Sequence, residues 1–193
     1  NKQETVEDNI RGIRLAKELG FNVEATFIFG LPSEKFDDRV AALKLARDCT
    51  VDRALFNNAT PYPGTVLYRM AKAEGRLRVH SDWANFSYVA AVTQGFRGLA
   101  LPYVPAGTTE KELTGTILLA NLLFYLDFRK IVKLFNPLRR ASNKWFELPL
   151  KKLLNPITII GLIALAFTIF VRAVYYLVTE SNCRKFCLRS LHL

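Results

Sequence analysis

The stretch Phe27-Ile28-Phe29-Gly30-Leu31-Pro32-Ser33-Glu34 constrains this chain more than any other. Apolar residues from Ala25 to Phe29, interrupted only by Thr26, run straight into Gly-Leu-Pro, and a polar, helix-starting sequence follows. A buried strand that ends in a sharp turn at the carboxyl edge of a parallel sheet has this pattern. Gly30 has access to backbone angles closed to other residues and lets a ligand approach the main chain. Pro32 stiffens the turn and cannot extend a sheet ladder. Ser33 is predicted to cap a helix beginning near Lys35, with Glu34, Asp37 and Asp38 favourably placed in its first turn. Strand ends that face helix starts are where α/β proteins hold ligands.

The flanking periodicities fit that reading. Val6, Ile10, Ile13 and Ala16/Lys17 fall at helical spacing within Thr5 to Leu19, and Gly20 stands where a C-terminal cap belongs. Phe21 to Phe29 is predicted as the first strand, Lys35 to Asp48 as a second helix and Asp52 to Asn58 as a second strand. In the second helix Val40, Leu43, Ala46 and Arg47 separate an apolar stripe from a polar one. Helix, strand, helix, strand at this spacing predicts βα units with a parallel sheet, joined by right-handed crossovers. Pro61-Tyr62-Pro63-Gly64-Thr65 makes a rigid loop before a short helix, Val66 to Ala73, that ends at Gly75. Residues 76–107 are less regular, with Trp83, Phe86, Tyr88 and Phe96 scattered through them. Thr108 to Glu112 carries a helix-start signature, and the apolar run from Leu113 to Leu126 is predicted to continue helically through Phe135.

Charge divides the chain. Residues 1–100 hold 14 basic and 12 acidic side chains, a net of +2, whereas residues 101–193 hold 13 and 5, a net of +8. The excess lies beside apolar segments between Phe128 and Leu154, without the aromatic and glycine pattern of an RNA-binding sheet. It matches an anionic membrane surface, and nucleic acid is not an expected partner. Ile157 to Val171 then runs without a charge, and Ala173 to Val178 continues after the single Arg172. A bilayer core of about 30 Å needs about 20 helical residues, so this stretch predicts a transmembrane or membrane-inserted helix. The alternative is a buried or interfacial helix pair. A central Arg costs about 2.5–3.5 kcal/mol on insertion scales, but Arg172 lies near enough to the end to snorkel outward. Flanking charge is heavier on the N-terminal side, which orients the globular part toward the cytoplasm.

Three cysteines (Cys49, Cys183, Cys187) form no disulfide framework and fit a reducing compartment. Cys183-Arg184-Lys185-Phe186-Cys187 offers two thiolates and no third ligand, so free thiols or a juxtamembrane acylation site are expected there rather than a metal. Cys49 reads as a small core residue. No charged n-region followed by an apolar h-region opens the sequence, and it begins mid-pattern at Asn1 without a Met, as a fragment would. His80 and His192 are expected at the solvated surface. Asp37/Asp38 and Glu110/Glu112 read as helix-end electrostatics rather than an acid/base pair.

Gly20-Phe21, the run Phe27 to Glu34, and then Pro61-Tyr62-Pro63-Gly64-Thr65 with Tyr68 and Gly75 occur in an order and spacing that resembles the C-terminal half of radical S-adenosylmethionine enzymes. The closest likeness is to the class with an upstream cobalamin-binding domain. The resemblance covers about residues 1–100, and Ser33 stands where the family usually has Gly. It implies an α/β fold, the C-terminal half of a partial (β/α) barrel, followed by an α-helical, membrane-associated region. The implied division is 1–107 for the barrel part, 108–154 for a basic amphipathic helical region, 155–180 for the membrane helix and 181–193 for a basic tail.

The resemblance further implies S-adenosylmethionine and a [4Fe–4S] cluster in the whole protein, with cobalamin as a further cofactor. The family's Cys-x3-Cys-x2-Cys ligands are not in this sequence, so this chain alone is expected to hold no cluster and run no radical chemistry. By the same resemblance Ile28, Gly30, Phe56 and Asn57 are candidates to pack against the adenine and ribose of the cofactor. Strand core and turn glycine are equally good readings of each. Tyr62, Tyr68 and Tyr88 are candidates to donate protons or shield a radical, although aromatics at a loop edge usually pack. The expected activity of the whole protein is 5′-deoxyadenosyl radical chemistry or methyl transfer on a small-molecule or lipid-like substrate. The alternative is a non-catalytic, membrane-tethered half barrel.

Overall fold

In the computed structural model, which describes residues 4–80, 83–86, 100–127 and 156–191, the first half of the chain builds one βαβ unit. Helix α1 (Val6–Glu18) starts on a reciprocal cap: Thr5 Oγ1 accepts from Asp8 N, and the Asp8 carboxylate accepts from Thr5 N. Leu19 ends it, with Gly20 following at the position read from the sequence. Strand β1 (Glu24–Phe29) starts later than the Phe21 expected for it, and just before it Val23 O accepts from the backbone N–H groups of Asp52 and Arg53. The Asp52 carboxylate accepts from Val23 N at 2.8 Å and from Lys17 Nζ at 2.6 Å, joining the end of α1 to the starts of both strands.

Helix α2 (Phe36–Asp48) is capped by Lys35 rather than Ser33, and the Asp38 carboxylate accepts from Lys35 N. Glu34 lies outside its first turn and does something else, described below. Strand β2 (Arg53–Asn58) pairs with β1 in parallel, Glu24 opposite Arg53 through Phe29 opposite Asn58. Alternation then sorts the side chains. Ala25/Ala54, Phe27/Phe56 and Phe29/Asn58 share one face, and Glu24/Arg53, Thr26/Leu55 and Ile28/Asn57 share the other. The first face is the core face. Phe27 and Phe56 stack at 5.0 Å, and Phe29 and Phe124 close on Phe56 at 5.6 and 6.2 Å. Each such pair adds about 0.5–1.5 kcal/mol beyond its buried area.

Helix α3 (Val66–Ala73) has the bounds read from the sequence. Helix α4 (Glu110–Tyr125) starts on Thr109, whose Oγ1 accepts from Glu112 N, and it stops at Tyr125. The continuation expected through Phe135 runs past this stop, and residues 128–155 lie outside the described residues. Most of α4 is buried, because it packs on β2 on one side and on two further helices on the other. It also closes the outer edge of β2: Asn121 accepts from Phe56 N and donates to Phe56 O, at 3.3 and 2.9 Å, and Tyr125 Oη donates to Ala54 O at 3.0 Å. Side chains there do what a third strand would do. Among the described residues the half barrel expected from the sequence is therefore a two-stranded parallel sheet in a mostly helical surround.

Helix α5 (Pro156–Thr179) contains the predicted apolar stretch, and α6 (Ser181–Leu191) follows after one residue. The expected basic tail is thus a packed helix. Its Cys183, Phe186 and Ser190 are buried, Phe186 meets Phe36 edge-to-face at 6.4 Å, and Arg189 pairs with Asp37. Arg47 donates to Ser190 O and Leu123 O at 2.6 and 2.8 Å, tying α2 to α6 and α4. A Cβ added at Gly115 would stand 2.6 Å from Cys183 Sγ and 2.8 Å from the Tyr176 ring, so α4, α5 and α6 meet where only glycine fits.

Burial at that contact pushes the Cys183 thiol up to about 11 from the ordinary 9.0, and also raises Cys187. Cys183 is therefore an inert core thiol, not an acylation site. The unfolded chain ionises this thiol first, so between those two values the folded protein binds the extra proton. The stabilisation is complete below about pH 9 and is lost as pH rises toward about 11. Urea midpoints measured at about pH 8 and about pH 10.5 should fall, and by less in C183A. An equal fall in that variant would contradict the assignment.

Candidate cofactor-binding edge

The turn after β1 and the end of β2 lie side by side, because Ala59 N donates to Phe29 O at 2.7 Å and carries the pairing one step past the strands. Gly30 has φ +86°. Its N–H donates to Glu34 Oε2 at 2.7 Å, and the same oxygen accepts from Arg39 Nε at 2.7 Å. Arg39 is only 1% exposed. It also donates to Glu112 Oε1 at 3.1 Å and to Thr108 Oγ1 at 3.2 Å, and Asn182 Nδ2 donates to Glu112 Oε2 at 2.9 Å. One buried guanidinium thus joins the turn after β1, the start of α4 and α6. The stripe read on α2 holds at Leu43 and Ala46, with Val40 packed against the core, and the buried Arg39 joins it. Glu112 is correspondingly more than a helix-end charge. Glu110 also reaches beyond its helix, accepting from Leu101 N and from Arg78, each at 2.6 Å.

Ile28 and Asn57 come together, paired in register on the face away from α2 and α4. Ile28 is 51% exposed and Asn57 only 4%. Among the described residues Asn57 Nδ2 has no hydrogen-bond partner. A buried amide donor left unpaired costs about 1–3 kcal/mol, a cost that an acceptor at this position would remove. Phe56 does not join them. Its side chain is fully buried on the opposite face, and its backbone N–H and C=O are both held by Asn121. Gly30 borders the pair, but its missing Cβ makes room for Leu113, whose Cδ2 would lie 2.8 Å away, rather than for a ligand.

The Pro61–Thr65 loop is a helix cap. Thr65 Oγ1 donates to Tyr62 O at 2.7 Å and accepts from Tyr68 N at 3.1 Å. Tyr62 Oη reaches Phe86 O at 3.4 Å and the two rings meet edge-to-face. Tyr88 and His192 lie outside the described residues, and His80 is exposed. Sequence reasoning missed Asn85, which is buried and binds His80 N, Arg78 O and Ala100 O, fixing the irregular stretch beside the sheet. Its surroundings of Ser, Asp, Trp and Phe gave no signal. Cys49 follows α2 and lies far along the chain from the α6 pair, and among the described residues no three His, Cys, Asp or Glu side chains converge to hold a metal. An iron–sulfur cluster does not fit the residues described.

The chain is 28% identical over 129 residues to an uncharacterized methyltransferase of Pyrococcus horikoshii, a match covering 67% of this chain and 26% of that protein. It is 39% identical over 69 residues (36% of this chain, 12% of the relative) to the anaerobic magnesium-protoporphyrin IX monomethyl ester cyclase of Rubrivivax gelatinosus. The enzyme of the same name from Cereibacter sphaeroides is 26% identical over 126 residues, covering 65% of this chain and 18% of the relative. The chain thus spans about a quarter or less of the length of these relatives. No family model matches it. No solved structure matches it either.

Proposed function

We propose that this chain is a C-terminal portion of a radical S-adenosylmethionine enzyme and that the carboxyl edge of its sheet takes the adenosine end of the cofactor. Distant relatives named methyltransferase and cyclase support the reading, as does the adjacency of the turn after β1 and the end of β2 at one sheet edge. The observation that carries it is the buried, unpartnered Asn57 amide beside the exposed Ile28 side chain. Adenine offers acceptor nitrogens for such a donor and an apolar ring face for such an aliphatic. Ile28 would pack on the ring, Asn57 would donate to it, Gly30 would end the strand at the ribose, and Phe56 would support the sheet from behind.

When bound, S-adenosylmethionine supplies methyl-transfer or 5′-deoxyadenosyl chemistry. The cluster thiolates come from outside this chain in this reading, and cobalamin belongs with them. An upstream half would extend the sheet from β1, because Asn121 and Tyr125 occupy the edge of β2. The exposed apolar side chains of α5 support a reading in which the protein associates with a membrane, with a lipid-like substrate as the favoured class. The test is anaerobic reconstitution of the complete protein with iron and sulfide, followed by S-adenosylmethionine and a reductant. Release of 5′-deoxyadenosine or S-adenosylhomocysteine is expected. Neither product, from a protein carrying its cluster, would overturn the assignment.

A further inference from the structure

We infer that Asn182, at the start of α6, is a positioning residue for the carboxyl edge of the sheet, acting on the Gly30 turn through Glu112, Arg39 and Glu34. The role rests on the cofactor reading of that edge and extends it to a helix remote from it in sequence. Few atoms make the turn. Strand register ends with Phe29 opposite Asn58, and Gly30 follows with a left-handed φ of +86°. Glu34 closes the turn twice: its N–H donates to Leu31 O at 3.0 Å, and its Oε2 accepts from Gly30 N at 2.7 Å. The carboxylate that holds Gly30 therefore holds the end of the strand that carries Ile28.

Glu34 is fixed in turn from α2, where Arg39 Nε donates to the same Oε2 at 2.7 Å. The rest of the guanidinium faces Thr108 Oγ1 and Glu112 Oε1. The two oxygens of Glu112 are thus divided, Oε1 toward Arg39 and Oε2 toward Asn182 Nδ2 at 2.9 Å. Two carboxylates and one guanidinium lie buried together here. Such groups add little stability over apolar packing, but the planar guanidinium fork sets angles as well as distances. Asn182 gives the second oxygen of Glu112 a neutral donor. Once that donor is removed, Glu112 recovers a partner for this oxygen by rotating toward the guanidinium. Arg39 follows it, and the bond from Nε to Glu34 lengthens, because members of one hydrogen-bond network respond together. The Gly30 N–H then loses its fixed acceptor.

The test compares the complete, anaerobically prepared protein with Asn182→Leu and Asn182→Ala, which both remove the donor and differ in packing. Hydrogen exchange resolved to single residues reads the Gly30 amide and those of β1 and β2, and titration with S-adenosylmethionine reads the edge. In both variants Gly30 exchange is expected to rise and cofactor affinity to fall, each about two- to tenfold, with exchange in β1 and β2 unchanged. In a Glu34→Gln background, where the carboxylate is already lost, Asn182→Leu should bring no further change. Gly30 exchange or cofactor affinity unchanged in both folded variants would overturn the role of Asn182 and leave the cofactor reading intact. So would exchange raised equally along β1 and β2, or effects that add to those of Glu34→Gln. A parent that binds no S-adenosylmethionine, with Gly30 still responding to Asn182, would overturn the cofactor reading and leave the connection to Gly30 standing.

Discussion

Arg39→Met is expected to destabilise the folded protein by about 3–5 kcal/mol, the cost of leaving buried charge without its partner. Glu34 and Glu112 both depend on this guanidinium, and their side chains are nearly as buried as Arg39 itself. Methionine roughly fills the volume, so the loss reports on charge and hydrogen bonding more than on packing. For a domain of this size that is a large share of the total. Chemical denaturation of the full chain measures it. Retaining two uncompensated carboxylates is worse than retaining none, so the triple change Arg39→Met, Glu34→Gln, Glu112→Gln should recover part of the loss. A single Arg39→Met within about 1 kcal/mol of the parent would mean that the network is solvated and does not tie α2, α4 and α6 together.

Gly30→Val should cost about 2–5 kcal/mol, from a left-handed backbone closed to β-branched residues and from overpacking against Leu113. The two terms separate. Leu113→Ala opens the space that the new side chain needs, so in that background Gly30→Val should cost less, while the backbone term remains. An equal cost in both backgrounds would show that Leu113 does not set the requirement at Gly30. The damage should reach the candidate edge as well, since the Gly30 N–H holds the Glu34 carboxylate.

These two sites mark what the sequence could and could not convey. Short-range signals were legible: the helix start at Thr108 to Glu112, the parallel strands, the bounds of α3, and the turn glycine after Phe29, although the cap expected at Ser33 fell on Lys35. Each depends on neighbours within a few residues. What escaped depends on partners far along the chain. Arg39 reads as part of a charged helix face, and its burial becomes intelligible only with Glu112, 73 residues later. The same holds for Asn121, a polar residue within an apolar helix whose task is to satisfy the backbone of Phe56, and for α6, which looks like a basic tail until Phe186 meets Phe36. Phe56 shows a different limit. Alternation placed it on a face opposite Asn57, but only the packing of α4 decided which face is core. At the candidate site Ile28 and Asn57 were named singly, by resemblance, and their pairing in register and the unpartnered amide came only with the structure.

Titration of the complete, anaerobically prepared protein with S-adenosylmethionine, parent against Asn57→Leu, tests the proposed role of the sheet edge most directly. Leucine has a similar volume and removes the unpaired donor. The variant should therefore be at least as stable as the parent, yet bind the cofactor about three- to tenfold more weakly, as the loss of one hydrogen bond of about 0.5–1.5 kcal/mol requires. Unchanged affinity in a folded variant, or no saturable binding by the parent, would contradict the assignment of this edge to the cofactor.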